Sequence, residues 1–498
     1  MTGRILVESP LFIRRVQAST VESIIHSRAR RVPGIWVWLT LLMSSGGFPL
    51  FAAGLSPSQA TELKERLDAA VARKDGGAVE RILLEMADRG DDDDLVPLAF
   101  LYSHGHPELG IQPDAEKFVT VFTRLADRGH AGAQSVLADH LTNADDTATA
   151  ARRADRLVSA YQWRLLAQIG AGYQDKELSS LRGDLTAAQL SAAAARAEKR
   201  IPVMLKRYGT EAYFRAGLLY LNGEHLPRNT KRALAHLEKA AGDGNMYAQY
   251  RLGEVLSSGA PDIKLDAPRA LQWYRAAAAQ NNRYALHRLG EYSLQGKHVP
   301  QDASSAADYF TKAAATGHAE SQVALGEMHL KGTGVAKDPA KAVEYFRAAA
   351  AQENVLAWLY LGHAHREGVG AQRDIMEAYD WYRKAAEAGL AEAQYTMGHA
   401  SSRGVAVLFP RDFRKAAEWF EKAAAQGHGP ARYNLGELYI NGGYGLERDP
   451  ARAYALMRTA GVSLENTDAV LAGLLSQMSA EESARARALA NEFAQGKK

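Results

Sequence analysis

The fold class this sequence predicts is all-α: a right-handed superhelical solenoid of antiparallel helix pairs. Three observations predict it. Seven glycines, Gly217, Gly253, Gly290, Gly326, Gly362, Gly398 and Gly436, follow one another at intervals of 36, 37, 36, 36, 36 and 38 residues. A fixed period in this range marks stacked two-helix units. Within each period a glycine and then an Asp or Asn stand where one helix would end and the next begin. The segments between are rich in Ala, the strongest helix former. A chain of 498 residues is too long for one conventional core, and an array avoids that limit because each unit packs only on its neighbours.

From the N-terminus, residues 1–54 read as a signal peptide or N-terminal anchor. Arg28, Arg30 and Arg31 precede the apolar run Ile35-Trp-Val-Trp-Leu-Thr-Leu-Leu-Met43, and small residues end it at Phe51-Ala-Ala-Gly54. Basic flank, short apolar stretch and small-residue exit are the parts of an export signal, with cleavage after Ala53 or Gly54. The competing reading is an uncleaved anchor: Gly34 to Leu55 is 22 residues, enough to span a bilayer, although Gly46, Gly47 and Pro49 weaken it as a helix. The expected location is the periplasm or cell envelope, or the inner membrane if the segment stays in place. Contact with a membrane is expected only through that segment.

The chain has no cysteine, which excludes disulfides, Cys zinc sites, thiol catalysis and a lipidated cysteine. Net charge is +3, and residues 1–56 hold six basic and two acidic groups, so the body is close to neutral. That balance argues against nucleic acid as a partner.

Residues 57–205 predict a degenerate array with cap-like helices. Leu98-Ala-Phe-Leu-Tyr-Ser-His-Gly105 with Ala115 to Gly129 forms one loose unit, and Asp68 to Gly90 an eroded one. Residues 206–461 hold seven clean units. Residues 462–498 repeat the plan of 160–200, a polar Ala-rich helix after a variable stretch, and read as capping helices, because a solenoid needs a terminal element with one polar face.

In each clean unit a first helix, A, ends near Gly223, Gly259, Gly296, Gly332, Gly368, Gly404 or Gly442, where a left-handed cap suits glycine. A second, B, begins after Asn229, Asp266, Asp302, Asp338, Asp374, Asp412 or Asp449, each able to cap the first N–H groups. The period-marking glycine falls inside helix A, where it weakens the helix, so its expected use is close helix–helix approach. Ala248, Ala285, Ala357, Ala393 and Ala431 extend that seam. Helix B carries an aromatic pair, Trp273-Tyr274, Tyr309-Phe310, Tyr345-Phe346, Trp381-Tyr382 and Trp419-Phe420. A stacking platform for sugars and a buried core both fit it; recurrence in every unit favours core for at least one member.

The shared pattern, A-x-x-x-L-G-x-x-Y/H-x-x-G-x-G-V-x-x-D-x-x-K-A-x-x-W/Y-Y/F-x-K/R-A-A, resembles the Sel1-like repeat, a relative of the tetratricopeptide repeat. The resemblance covers residues 211–461. It implies a non-enzymatic scaffold whose partners are other proteins, with no cofactor. Two shorter segments, Leu95-Val-Pro-Leu-Ala-Phe-Leu-Tyr102 and Gly296-Lys-His-Val-Pro-Gln-Asp302, resemble parts of the Sel1-like scaffold of alginate export. They imply a role in assembling an exopolysaccharide secretion complex. That scaffold is a lipoprotein, which a chain without cysteine does not match. The alternatives are a Sel1-repeat regulator of a signalling or cell-wall pathway and, more remotely, a hydrolase. Against the last stands the absence of a Ser-x-x-Lys set with its partner motifs and of a G-x-S-x-G elbow.

No catalytic or metal-binding residue is assigned. Gly332-Thr-Gly334 and Gly368-Val-Gly370 lack the strand and Lys-Ser/Thr of a phosphate loop. His104-x-His106 and His363-x-His365 lack a third ligand at metal spacing. Asp91 to Asp94 lack the spaced pattern of a calcium loop.

One stripe reads as partner-binding, the concave wall of the array. Two residues before the marker glycine, one after it and five after it share a helix face. The stripe comprises Arg251, Glu254, Arg288, Glu291, Glu327, Lys331, Tyr360, His363, His399, Arg403, Asn434 and Glu437. An ordinary solvated face is the competing reading.

Overall fold

The computed structural model describes residues 56–89, 95–143, 149–172, 176–259, 262–405, 410–461 and 467–495. The signal or anchor segment and Asp91 to Asp94 lie outside them. The described residues form helices and no strand, with isolated bridges at His106–Ile111 and Gly443–Leu446. Contacts divide the chain into two compact units, 1–240 and 241–498.

In the second unit each helix A packs on the helix B that follows it. The hairpins are Met246–Ser258 with Ala267–Ala279, Arg283–Gln295 with Ala303–Ala315, Ala319–Lys331 with Pro339–Ala350, Val355–Glu367 with Ile375–Glu387, Ala391–Arg403 with Phe413–Ala425, and Gly429–Asn441 with Pro450–Arg458. Thr467–Gln477 and Ala480–Ala494 close the unit.

Each hairpin is held by a slot and a plug. The marker glycine leaves a gap in helix A that the second aromatic of helix B fills in the first five hairpins and Met457 fills in the sixth. A Cβ at Gly253 would stand 2.6 Å from Tyr274, at Gly290 2.6 Å from Phe310, at Gly362 2.5 Å from Tyr382 and at Gly398 2.5 Å from Phe420. Tyr274, Phe310, Phe346, Tyr382 and Phe420 are at most 1 % exposed, whereas their preceding neighbours Trp273, Tyr309, Tyr345, Trp381 and Trp419 are half-buried. The core expectation therefore holds for the second member of the pair. The seam alanines, Ala248, Ala285, Ala357, Ala393 and Ala431, are fully buried.

The turn chemistry follows the sequence. Asp266, Asp302, Asp338, Asp374, Asp412 and Asp449 each accept a backbone N–H from the first turn of helix B. Gly259, Gly296, Gly332 and Gly368 cap helix A in the left-handed conformation, while Gly404 and Gly442 keep a positive φ with extended ψ.

The first unit runs from Pro57–Ala72 through Ala150–Ala171, Ala187–Glu198 and Ile201–Asn222 into Thr230–Gly242. Leu63, Met86, Leu95, Leu98, Leu125, Leu137 and Tyr161 are among its fully buried side chains. The sequence pattern divides the repeats at 205/206, inside Ile201–Asn222. That helix breaks at Gly209, with φ 56° and ψ −135°. Past the break, Arg215 donates to the carbonyls of Ile169 (3.2 Å) and Gly170 (2.6 Å), so the first clean hairpin packs with the helices before it.

Candidate functional site

The stripe residues lie one per turn on the A helices of the second unit, where i, i+3 and i+4 side chains meet. They form two sections. In the first, opposite charges satisfy each other along one helix. Arg251 donates to Glu254 at 2.6 Å, Arg288 to Glu291 at 2.6 Å and Lys331 to Glu327 at 2.8 Å. Tyr250 adds its hydroxyl to Glu254 at 2.7 Å. In the second section Tyr360, His363, His399 and Asn434 are uncharged, with the charged Arg403 and Glu437 at its exposed edge. The His363 Nδ1 and the Tyr382 hydroxyl are 2.9 Å apart, and the Asn434 amide donates to His399 Nε2 at 2.8 Å, joining two successive A helices. Tyr360 stacks on the plug Phe346 of the preceding hairpin, centroids 4.7 Å apart.

Packing shapes the electrostatics. His287, 3.6 Å from Glu291, and then Arg288 hold that carboxyl below the usual range against the effect of burial. Burial pushes the imidazoles of His363 and His399 down, so both stand neutral near pH 7. Burial raises the hydroxyls of Tyr250, Tyr274, Tyr360 and Tyr382. Most of the stripe is half-buried rather than solvated. Lys331, Arg403 and Glu437 are its exposed members.

The reading of the stripe missed its support. Tyr250, His287 and Tyr395 stand three residues before the marker glycine, and their recurrence there was the available signal. Tyr395 packs between His399 and His428, at 4.5 and 4.7 Å, and His428 reaches Glu392 at 3.0 Å. His287 and His318, 4.8 Å apart, share the Ser321 hydroxyl at 2.9 and 3.0 Å.

The two histidines of His363-x-His365 face different neighbours. His365 directs Nδ1 to the Gln372 carbonyl at 3.2 Å and lies 3.3 Å from Glu377. Among the described residues no group of three or more His, Asp or Glu side chains is placed to hold a metal ion. Among the same residues no helix is long and apolar enough to cross a membrane. The arrangement offers a polar wall of preformed ion pairs followed by neutral hydrogen-bonding groups. Such a wall can meet a partner surface without stripping water from isolated charges.

A family model described as Sel1 repeat matches residues 210–245, 247–282, 283–318, 319–354, 357–390, 391–428 and 429–461. Comparison with curated proteins returns no match. Among solved structures, a Sel1 repeat protein from Oxalobacter formigenes is 24 % identical, over 72 % of this chain and 90 % of its own, with a TM-score of 0.50. A protective antigen of uropathogenic Escherichia coli strains, displaying an SLR fold, is 24 % identical over 84 % of this chain and 94 % of its own, with a TM-score of 0.42. At this identity the first likeness is one of fold.

Proposed function

Because the chain belongs to the Sel1 repeat family, whose members bind other proteins, we propose that it is a non-enzymatic scaffold of the bacterial cell envelope that holds protein partners along the A-helix stripe. The observation that carries this is the stripe itself: polar groups at one helix position in successive hairpins, braced from behind by tyrosines and histidines. A purely solvated face needs no such bracing.

The envelope assignment draws its support from the basic and apolar pattern of residues 28–54. A narrower role, assembly of an exopolysaccharide secretion complex, draws on the two short resemblances. Leu95, Leu98 and Tyr102 of the first are core residues, and Gly296 and Asp302 of the second are the caps of one turn. Those letters therefore serve the fold as well as any kinship.

Photocrosslinking from an aromatic photoprobe at position 360, in cells, tests the stripe. Adducts with envelope proteins that disappear in Lys331→Glu with Arg403→Glu are the expected result. Both residues are exposed, so the melting temperature should not move. Adducts insensitive to that pair reject the stripe. Mass determination of the mature N-terminus in the periplasmic fraction tests export: cleavage near Ala53 is expected, and an intact N-terminus in the cytoplasm rejects it.

A further inference from the structure

The turns between helices A and B carry a second surface, in a different place from the stripe. Two clefts open there. One, about 350 Å³, is lined by Met376, Arg383, Ser401, Asp412 and Lys415 among others. The other, about 570 Å³, is lined by Arg414, Tyr439, Arg448, Asp449, Arg452 and Arg485 among others. They are the same place one repeat apart: Met376 corresponds to Arg414, Ser401 to Tyr439, Asp412 to Asp449 and Lys415 to Arg452.

Ser401 stands where three other hairpins carry a large polar side chain. Three residues after the marker glycine come His329, His365 and Tyr439 in those three, and Leu256 and Ser293 in the other two. His329 and His365 each direct Nδ1 to a turn carbonyl at 3.2 Å, those of Ala336 and Gln372. The Ser401 side chain is too short for that. It is 1 % exposed, and its hydroxyl has no hydrogen-bond partner. A buried polar group left so is costly unless something completes it.

The cations of this edge are held by neutral acceptors: Arg411 donates to the Tyr444 hydroxyl at 3.3 Å, Arg414 to the Gly445 carbonyl at 3.2 Å and Arg448 to the Ile440 carbonyl at 3.1 Å. Asp412 and Asp449 are occupied as helix caps, and Asp449 also takes Arg485 at 2.7 Å. Glu482 caps Ser479, Arg383 pairs with Asp380 and Arg452 with Glu421. Among the described residues Arg411, Arg414, Lys415 and Arg448 lie within salt-bridge distance of no carboxylate, and Glu447 is the one cleft carboxylate left over. The fold does not ask for these charges. The residue before the cap packs its Cβ against the glycine of the turn, Lys337 at Gly332, Arg373 at Gly368 and Arg448 at Gly442, and Arg373 and Arg448 also donate to the Arg366 and Ile440 carbonyls at the end of helix A, at 3.2 and 3.1 Å. The neutral Gln301 meets both needs, packing at Gly296 and donating to the Leu294 carbonyl at 2.9 Å, so the positive charge at Lys337, Arg373, Arg411 and Arg448 is more than the turn requires.

Apolar groups alternate with the cations. Met376 is 52 % exposed and Tyr444 58 %. Tyr444 holds a left-handed φ of 48° between two glycines, with Phe413 at 4.9 Å and the Arg411 guanidinium 5.3 Å over its ring. Backbone strain that displays an aromatic side chain is typical of functional positions.

We propose that this edge is a docking groove for an extended, acidic segment of a partner protein. Its carboxylates sit on Arg411, Arg414, Lys415 and Arg448 and its apolar side chains against Met376 and Tyr444, across the cleft that the small Ser401 leaves. Alternate side chains of an extended peptide supply acid and apolar groups in turn; a polyuronate supplies only the acid.

A fluorescein-labelled peptide of alternating Glu and Leu, titrated with the full chain and followed by anisotropy, tests this. Saturable binding that weakens with salt is expected. Arg414→Glu with Arg448→Glu should weaken it about tenfold or more, equivalent to about 1.4 kcal/mol, while Arg275→Glu with Arg347→Glu, on exposed B-helix positions elsewhere, leaves it unchanged. Ser401→His fills the smaller cleft with the residue that two other hairpins already accommodate. It should keep the melting temperature and still weaken binding, which diffuse charge attraction would not do. Absence of binding, binding by the Ser401 or arginine variants as tight as that of the unaltered chain, or capture of a polyuronate in preference to the peptide overturns the proposal. The stripe variant Lys331→Glu with Arg403→Glu should bind the peptide normally; its failure to do so moves the site away from this edge.

Discussion

Gly326 and Phe346 are a matched pair: a Cβ on Gly326 would stand 2.4 Å from the Phe346 ring. Gly326→Ala is therefore expected to destabilise the second unit by about 1–3 kcal/mol through overpacking, although alanine is the better helix former by about 1 kcal/mol. Phe346→Leu in the same chain should recover part of the loss. Gly473 lies within helix Thr467–Gln477 with nothing within 4 Å of an added Cβ. Gly473→Ala should thus stabilise by about 0.5–1 kcal/mol. Urea titration of the three variants decides it, and two changes of the same sign would reject the slot.

Gly209 presents the opposite case. An added Cβ meets nothing within 4 Å, but φ 56° with ψ −135° is a conformation other residues rarely hold. Gly209→Ala should cost about 1–3 kcal/mol through the backbone alone. Faster amide exchange in Ile201–Asn222 would report it.

His318 sets a pH response. Burial first, then the neighbouring His287, pushes its imidazole down to about 4. Glu320 at 3.4 Å, the Ser321 hydroxyl at 3.0 Å and the Tyr284 ring at 5.4 Å also face it, with Arg283 and Glu291 acting at longer range. The unfolded imidazole takes its proton near pH 6.5 and the folded one only near 4. Stability from this group is complete above pH 6.5 and falls as pH drops toward 4, by an amount on the order of 1–3 kcal/mol. His318→Asn keeps a helix cap of the kind Asn282 and Asn354 provide and should flatten that part of the melting-temperature profile. An unchanged profile would show that His318 does not carry it.

In the first unit, Arg164 is 7 % exposed and reaches the Asp139 carboxylate and the Ser135 hydroxyl. Asp139→Ala takes that carboxylate from a buried cation. The expected loss is about 2 kcal/mol, below the about 3–5 kcal/mol of a fully enclosed pair because Asp139 is half exposed. Hydrogen exchange should quicken in Ala131–Asn143 and Ala150–Ala171. No change there would mean water already serves Arg164.

The elements governed by neighbours in the chain were readable beforehand. A glycine and an aspartate a few residues apart specify the end of one helix and the start of the next, and Gly332 with Asp338 forms that turn. The marker glycines announced close approach, and Phe310 and Tyr382 supply it. The stripe was legible as a set of positions but not as a set of contacts. Whether Glu291 faces water or Arg288 depends on rotamers, and the bond from Asn434 to His399 crosses between hairpins. The clefts were harder still, since one exists because Ser401 is smaller than His365 at the same position, a property of the gap rather than of any motif.

Slot and plug belong to the same hairpin in every clean repeat of the second unit, the last included, where Met457 replaces the aromatic against Gly436. A duplication or deletion of one period, 36 codons, therefore copies or removes both halves of the lock together. An array built this way can lengthen or shorten by recombination without waiting for a compensating substitution. Its length is free to follow the size of what it holds.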